Sequence, residues 1–174
     1  IAREADIPAE IYHLKISYPP FWDRFDDVLE VIEEARRSGL NITADMYPYP
    51  AGSTGLDAIM PPWVKEGGID QWIARMQDPD TRARLVKAMQ ENPDDWDNRL
   101  ASGGAESVLL VEFRNPDLKH LAGMTLAEVA QQRGMSPEET AMDLVIEDRT
   151  RVGAMYFNQS EDVVRKAIQQ PWVS

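Results

Sequence analysis

His13 is an imidazole at the point where a strand-like run opens into a loop. It follows the apolar, β-prone stretch Glu10-Ile11-Tyr12. Asp45 closes a second such run, Asn41-Ile42-Thr43-Ala44, which opens into Met46-Tyr47-Pro48-Tyr49-Pro50-Ala51-Gly52-Ser53-Thr54. Lys15 lies two residues beyond His13 and so shares its face of a strand. Arg114 leaves the end of another run, where a guanidinium could hold a carboxylate in a bidentate pair. A strand-end carboxylate such as Asp45 could orient a neighbouring imidazole. Tyr47 and Tyr49 could line a pocket, Ser53 and Thr54 could offer hydroxyls to a ligand's oxygens, and Tyr156 could reach the same pocket. Each residue also has a structural reading. The histidine and the aspartate can bond loop amides, the tyrosines and hydroxyls can brace a proline-stiffened loop, the arginine can sit in a salt bridge, and Tyr156 can simply pack.

Polar residues at the carboxyl ends of successive strands, with a helix between them, are how an α/β barrel builds a site. The sequence predicts those elements. A strand spans 10–16, and Tyr18-Pro19-Pro20 ends it because proline fixes φ and donates no hydrogen bond. Phe25, Val28, Leu29, Ile32 and Ala35 repeat at helical spacing, so 23–38 is predicted to be a helix that stops at Gly39. The next strand spans 41–46, with a right-handed crossover as the default for the strand–helix–strand unit. The stretch 60–100 changes character. It is dominated by helices over 69–76 and 79–90, with Asp78-Pro79-Asp80 capping the second, and is read as a helical insertion. Branched and aromatic residues mark strands at 107–113 and 152–157. Thr125 with Glu128, and Ser136 with Glu139, read as capping boxes. Ser160 caps a helix over 161–169, and a further strand begins at Pro171. Trp22, Trp63, Trp72 and Trp96 flank helices as packing anchors, and His120 reads as a surface residue.

Composition bounds the class. A chain of 174 residues with 43% hydrophobic content suits a globular domain with a sizeable core. Its apolar runs are far short of the roughly 18 residues that a membrane helix needs. A net charge of −12 argues against nucleic acid or an anionic membrane as partner, since both select for basic patches. The absence of cysteine excludes disulfides and thiolate metal sites within the chain and is compatible with a cytoplasmic location, which is the expectation.

Five stretches taken together resemble the N-acyl-D-amino-acid deacylases (D-aminoacylases) of the amidohydrolase superfamily. They are His13-Leu14-Lys15, Ala44-Asp45-Met46-Tyr47-Pro48-Tyr49-Pro50-Ala51-Gly52-Ser53-Thr54, Phe113-Arg114-Asn115-Pro116, Gly123-Met124-Thr125-Leu126-Ala127-Glu128-Val129-Ala130 and Ala154-Met155-Tyr156-Phe157. The matches stand in family order over nearly the whole of residues 1–174, and the Tyr-Pro-Tyr stretch is the most specific. The resemblance implies an α/β fold, a partial TIM-like (β/α) barrel of roughly strands five to eight, forming the C-terminal portion of an amidohydrolase barrel. It implies zinc in the intact enzyme, with His13 as the fifth-strand metal ligand and Asp45 as its outer partner. It also implies an N-acyl amino acid substrate contacted by Lys15, Tyr47, Tyr49, Ser53, Thr54, Arg114 and Tyr156. The family's His-x-His pair would precede Ile1, and its catalytic Asp, in a Ser-Asp-Gly motif, would follow Ser174. No histidine stands in 42–54, near the sixth strand, where the family carries a further ligand.

On that resemblance the intact enzyme activates a metal-bound water, and the Asp beyond Ser174 acts as general base and then passes its proton to the leaving nitrogen. The isolated segment is expected to be inactive. It is also expected to self-associate, because a partial barrel leaves strand edges and apolar faces uncovered. Two rival readings stay open: another amidohydrolase, hydantoinase-like or dipeptidase-like, and a non-catalytic α/β binding module.

Overall fold

The computed structural model describes residues 1–174 and divides them into two compact units, one made of Ile1–Ala51 with Asn158–Ser174, the other of Gly52–Phe157.

In the first unit a short helix α1 (Ala2–Ala5) leads to strand β1 (Ala9–Ile11), which pairs in parallel with β2 (Ile42–Ala44). Ala44 in turn bridges Val173 in parallel, so three chain segments run side by side in the order 9–11, 42–44, 173. Helix α2 (Phe25–Arg37) makes the connection between β1 and β2. Its acidic first turn, Asp26 and Asp27, and basic last turn, Arg36 and Arg37, complement the helix dipole. It buries Phe25 and Ile32, which join Leu14, Ala44, Val163, Ala167 and Trp172 in one apolar cluster. Val163 and Ala167 come from α8 (Glu161–Ile168), which Ser160 caps by accepting from the Asp162 amide, as predicted. The Trp172 indole N–H donates to Glu33 Oε1 at 2.5 Å, and Lys166 Nζ meets both oxygens of Asp26 at 2.7 Å. The polar edges of α2 and the last segment are thereby fixed around the apolar centre.

The second unit holds a three-stranded antiparallel sheet, order β3 (Gly52–Gly55), β5 (Gly153–Tyr156), β4 (Val108–Glu112). Helices α3 (Ile69–Gln77), α4 (Pro79–Gln90), α5 (Arg99–Gly103), α6 (Leu126–Arg133) and α7 (Pro137–Asp148) bury Trp72, Met76, Leu85, Met89, Leu126, Met142 and Leu144 with the inner residues of the sheet. Asp78 caps α4 as predicted, accepting from the Thr81 amide at 2.9 Å. The hydrogen bonds from Thr81 hold its carboxyl below the ordinary 3.8. The sign follows: the cap is intact above the ordinary value and is lost as pH falls through the lowered one. Thr125 and Glu128 make the complete capping box of α6. Ser136 accepts from the Glu139 amide at 3.2 Å without the return bond, so this second cap is half of the predicted box.

The structure corrects three expectations. The strand over 10–16 pairs only as far as Ile11, and Tyr12 and His13 form a turn in which His13 has φ 56°. The runs at 107–113 and 152–157 are strands, but they pair antiparallel, whereas the strands of a (β/α) barrel are all parallel. The barrel-like part is therefore an open parallel ladder of three segments, not four successive barrel strands. The stretch 52–55, read as loop, is strand β3. Gly-Ser-Thr-Gly carries little strand signal, and its ladder with β5 supplies the order instead. The helix-rich stretch expected over 60–100 lies inside the second unit, which begins earlier and ends later.

Candidate functional site

The first unit gathers four of the expected residues. Beyond β1 the chain stays on its neighbour through Asp45: the Asp45 amide donates to Ile11 O at 3.1 Å, and the Leu14 amide donates to Asp45 O at 2.8 Å. Between those two bonds the His13 amide donates to Asp45 Oδ1 at 2.5 Å. Asp45 thus holds the backbone of His13 in its left-handed conformation. The imidazole is fixed by rings instead, stacked on Tyr12 at 3.7 Å between centroids and edge-on to Tyr47 at 5.1 Å. Lys15 Nζ donates to His13 O at 3.3 Å and lies 5.2 Å from the Tyr47 ring centroid. A groove of about 640 Å³ runs beside His13 and Lys15, lined chiefly by Ile11, Leu14, Ile16, Phe21, Val28 and Val31. Tyr49, in the same unit, is 63% exposed. Tyr12 was not singled out in the sequence, where a tyrosine ahead of a histidine carries no signal of stacking.

Ser53, Thr54, Arg114 and Tyr156 fall in the second unit. Ser53 and Thr54 lie on β3, and with Arg114 they line a hollow of about 660 Å³. Ser53 Oγ donates to Ala154 O at 3.4 Å. Tyr156 is only 1% exposed, its hydroxyl donates to Gly55 O at 2.9 Å, and the Arg99 guanidinium sits 4.9 Å from its ring. The packing reading of this tyrosine is the one its surroundings favour.

No protein-family model and no curated protein matches the chain. Solved structures do. The N-acyl-D-glutamate deacylase of Bordetella bronchiseptica, determined with zinc and a phosphonate mimic of the tetrahedral intermediate, is 22% identical, with a TM-score of 0.62 over 99% of this chain. The D-aminoacylase structure described as defining a novel subset of amidohydrolases is 23% identical with a TM-score of 0.60, again over 99% of the chain. The chain has the fold of a D-aminoacylase segment. A third match, to a D-aminoacylase studied for its binuclear metal centre, is 24% identical with a TM-score of 0.61. The chain spans 26% of the length of each of these solved chains. Identities of 22–24% make this a likeness of fold.

The residues present do not by themselves fit a zinc ion. Zinc takes three or four protein ligands, and no group of three or more His, Asp or Glu side chains converges anywhere in the chain. Near His13 the Asp45 carboxylate has Oδ1 committed to a backbone amide. No helix is long and apolar enough to cross a membrane.

Proposed function

We propose that the chain is part of a zinc-dependent amidohydrolase that cleaves the amide of N-acyl-D-amino acids, and that its first unit carries one ligand of the metal centre. The observation that supports this reading is the fit of 99% of the chain to D-aminoacylase structures with TM-scores of 0.60–0.62. His13 stands just past the carboxyl end of a parallel strand, the position from which barrel sites are built. In this reading His13 presents its imidazole to the metal, and Asp45 keeps the turn that aims it. Lys15 and Tyr47 face the substrate, with Tyr49 at the mouth. The remaining metal donors and the proton-transferring carboxylate are supplied by sequence outside these residues, so no catalytic step is assigned to the chain's own groups.

Two measurements test the reading. The 174 residues alone are expected to hydrolyse no N-acetyl-D-amino acid and to retain no stoichiometric zinc after dialysis, because one imidazole does not make a site. Turnover by this segment would refute the division of labour. The polypeptide encoded by the whole reading frame is expected to release acetate from N-acetyl-D-amino acids, with the L enantiomers as controls. No release with zinc supplied would leave the two rival readings, another amidohydrolase and a binding module, and the zinc content of the purified protein separates those.

A further inference from the structure

We infer that the hollow of the second unit is a binding site for an oxyanion-bearing small ligand, held by the guanidinium groups of Arg114 and Arg151. Three segments far apart in sequence meet there: Ser53 and Thr54 on β3, Glu112 and Arg114 at the end of β4, and Thr150 and Arg151 ahead of β5. Arg114 is exposed and makes no hydrogen bond or ion pair within a chain whose net charge is −12. With so many carboxylates available, an arginine left without one is free to take a ligand.

Arg151 is anchored rather than free. Its Nε donates at 2.7 Å to Asp57 Oδ1, a buried carboxylate that also meets Lys65 Nζ at 3.3 Å. That single bond fixes the guanidinium plane and leaves its two terminal nitrogens for a second partner. Such a fork matches the oxygen spacing of carboxylate and phosphate. Among the residues that line the hollow, Arg114 and Arg151 outnumber Glu112, which leaves one positive charge on its walls. Glu112, on the same wall, is expected to disfavour a multiply charged anion more than a singly charged one.

The backbone around the hollow is built to allow this arrangement. A Cβ on Gly55 would lie 2.2 Å from Asp57 Oδ1 and 2.8 Å from Arg151 Nε, so only glycine admits the ion pair. Val152, a β-branched residue, is held at φ 50°, and Arg149 at φ 54°. Valine at positive φ is an outlier that persists only where its surroundings over-determine it. The β4–β5 ladder shifts register between Leu110 and Glu112, and such bulges re-aim side chains.

Ser53, Thr54 and Arg114 are also residues that the resemblance assigns to substrate, but binding by the chain itself, without turnover, tests the hollow, so its failure leaves the proposed hydrolase standing. Calorimetric titration at low ionic strength with inorganic phosphate, and separately with acetate, is expected to show saturable binding that weakens with added salt. Arg114→Gln removes a side chain that no other group in the chain holds, so the fold is expected to survive. It is expected to weaken binding about tenfold or more, in line with the loss of a charge-assisted pair. Arg151→Gln is expected to do the same, with circular dichroism confirming that the unit remains folded. Tighter binding of acetate than of phosphate would identify the ligand group as a carboxylate, and the reverse order a phosphate. Failure of both anions to saturate, or binding that Arg114→Gln leaves unchanged, would overturn the proposal.

Discussion

Phe25→Ala is expected to destabilise the first unit by about 3–5 kcal/mol, the range for a large buried aromatic truncated to alanine. Phe25 is 0% exposed and opens α2. It belongs to a cluster of only seven buried residues, drawn from the turn after β1, α2, β2, α8 and the segment before Ser174. A small cluster has few neighbours able to close over a lost ring, so the cavity persists. At 13 residues α2 is marginal on its own even with its Leu, Ala, Glu and Arg residues, so packing must hold it. Denaturant unfolding followed by tryptophan fluorescence reads the effect, since Trp22 and Trp172 both lie in this unit. A loss below about 1 kcal/mol, the size of an ordinary surface change, would mean that α2 is not held by this ring.

Asp45→Ala is the second large effect, and it acts on His13 without touching the imidazole. The carboxylate accepts the His13 amide at 2.5 Å, and His13 holds a φ of 56°, uncommon for a non-glycine residue. Both residues are partly exposed, so water replaces part of the lost bond and the stability cost is about 1–2 kcal/mol. The cost in function is larger. On the proposed reading, in which His13 is a metal ligand of the intact enzyme, loss of the group that holds its turn is expected to reduce kcat/KM about 10- to 100-fold. Amide hydrogen exchange at His13 separates the two effects. It is expected to accelerate in Asp45→Ala and to recover in Asp45→Asn, which keeps an acceptor. Exchange at His13 unchanged in Asp45→Ala would remove the positioning role.

Much of the local structure was legible in the sequence because its signals are local. The apolar spacing of Phe25, Val28, Leu29 and Ile32 specifies α2, and the structure turns that face to the cluster. The Asp78, Thr125 and Ser160 caps are readable because a cap and its amide lie within three residues of each other. Branched residues reveal β4 and β5 as strands. They carry no information about direction, since antiparallel pairing is decided by which chain arrives alongside, and so the two strands were assigned to the wrong kind of sheet. β3 was missed for the complementary reason: its order comes from Tyr156, Met155 and Ala154 opposite, not from its own side chains.

The candidate site divides along the same line. The sequence by itself placed His13 and Asp45 where strand-like runs open into loops, and Arg114 at the end of a third run. Only the tertiary structure decided what these groups touch. Asp45 meets the amide of His13 from 32 positions along the chain, and Arg151, which no sequence signal marks, joins Arg114 beside β3. Propensity and periodicity act over a few residues and are written along the chain. A hydrogen bond or a shared hollow between distant segments exists only once hydrophobic burial and strand pairing have brought those segments together.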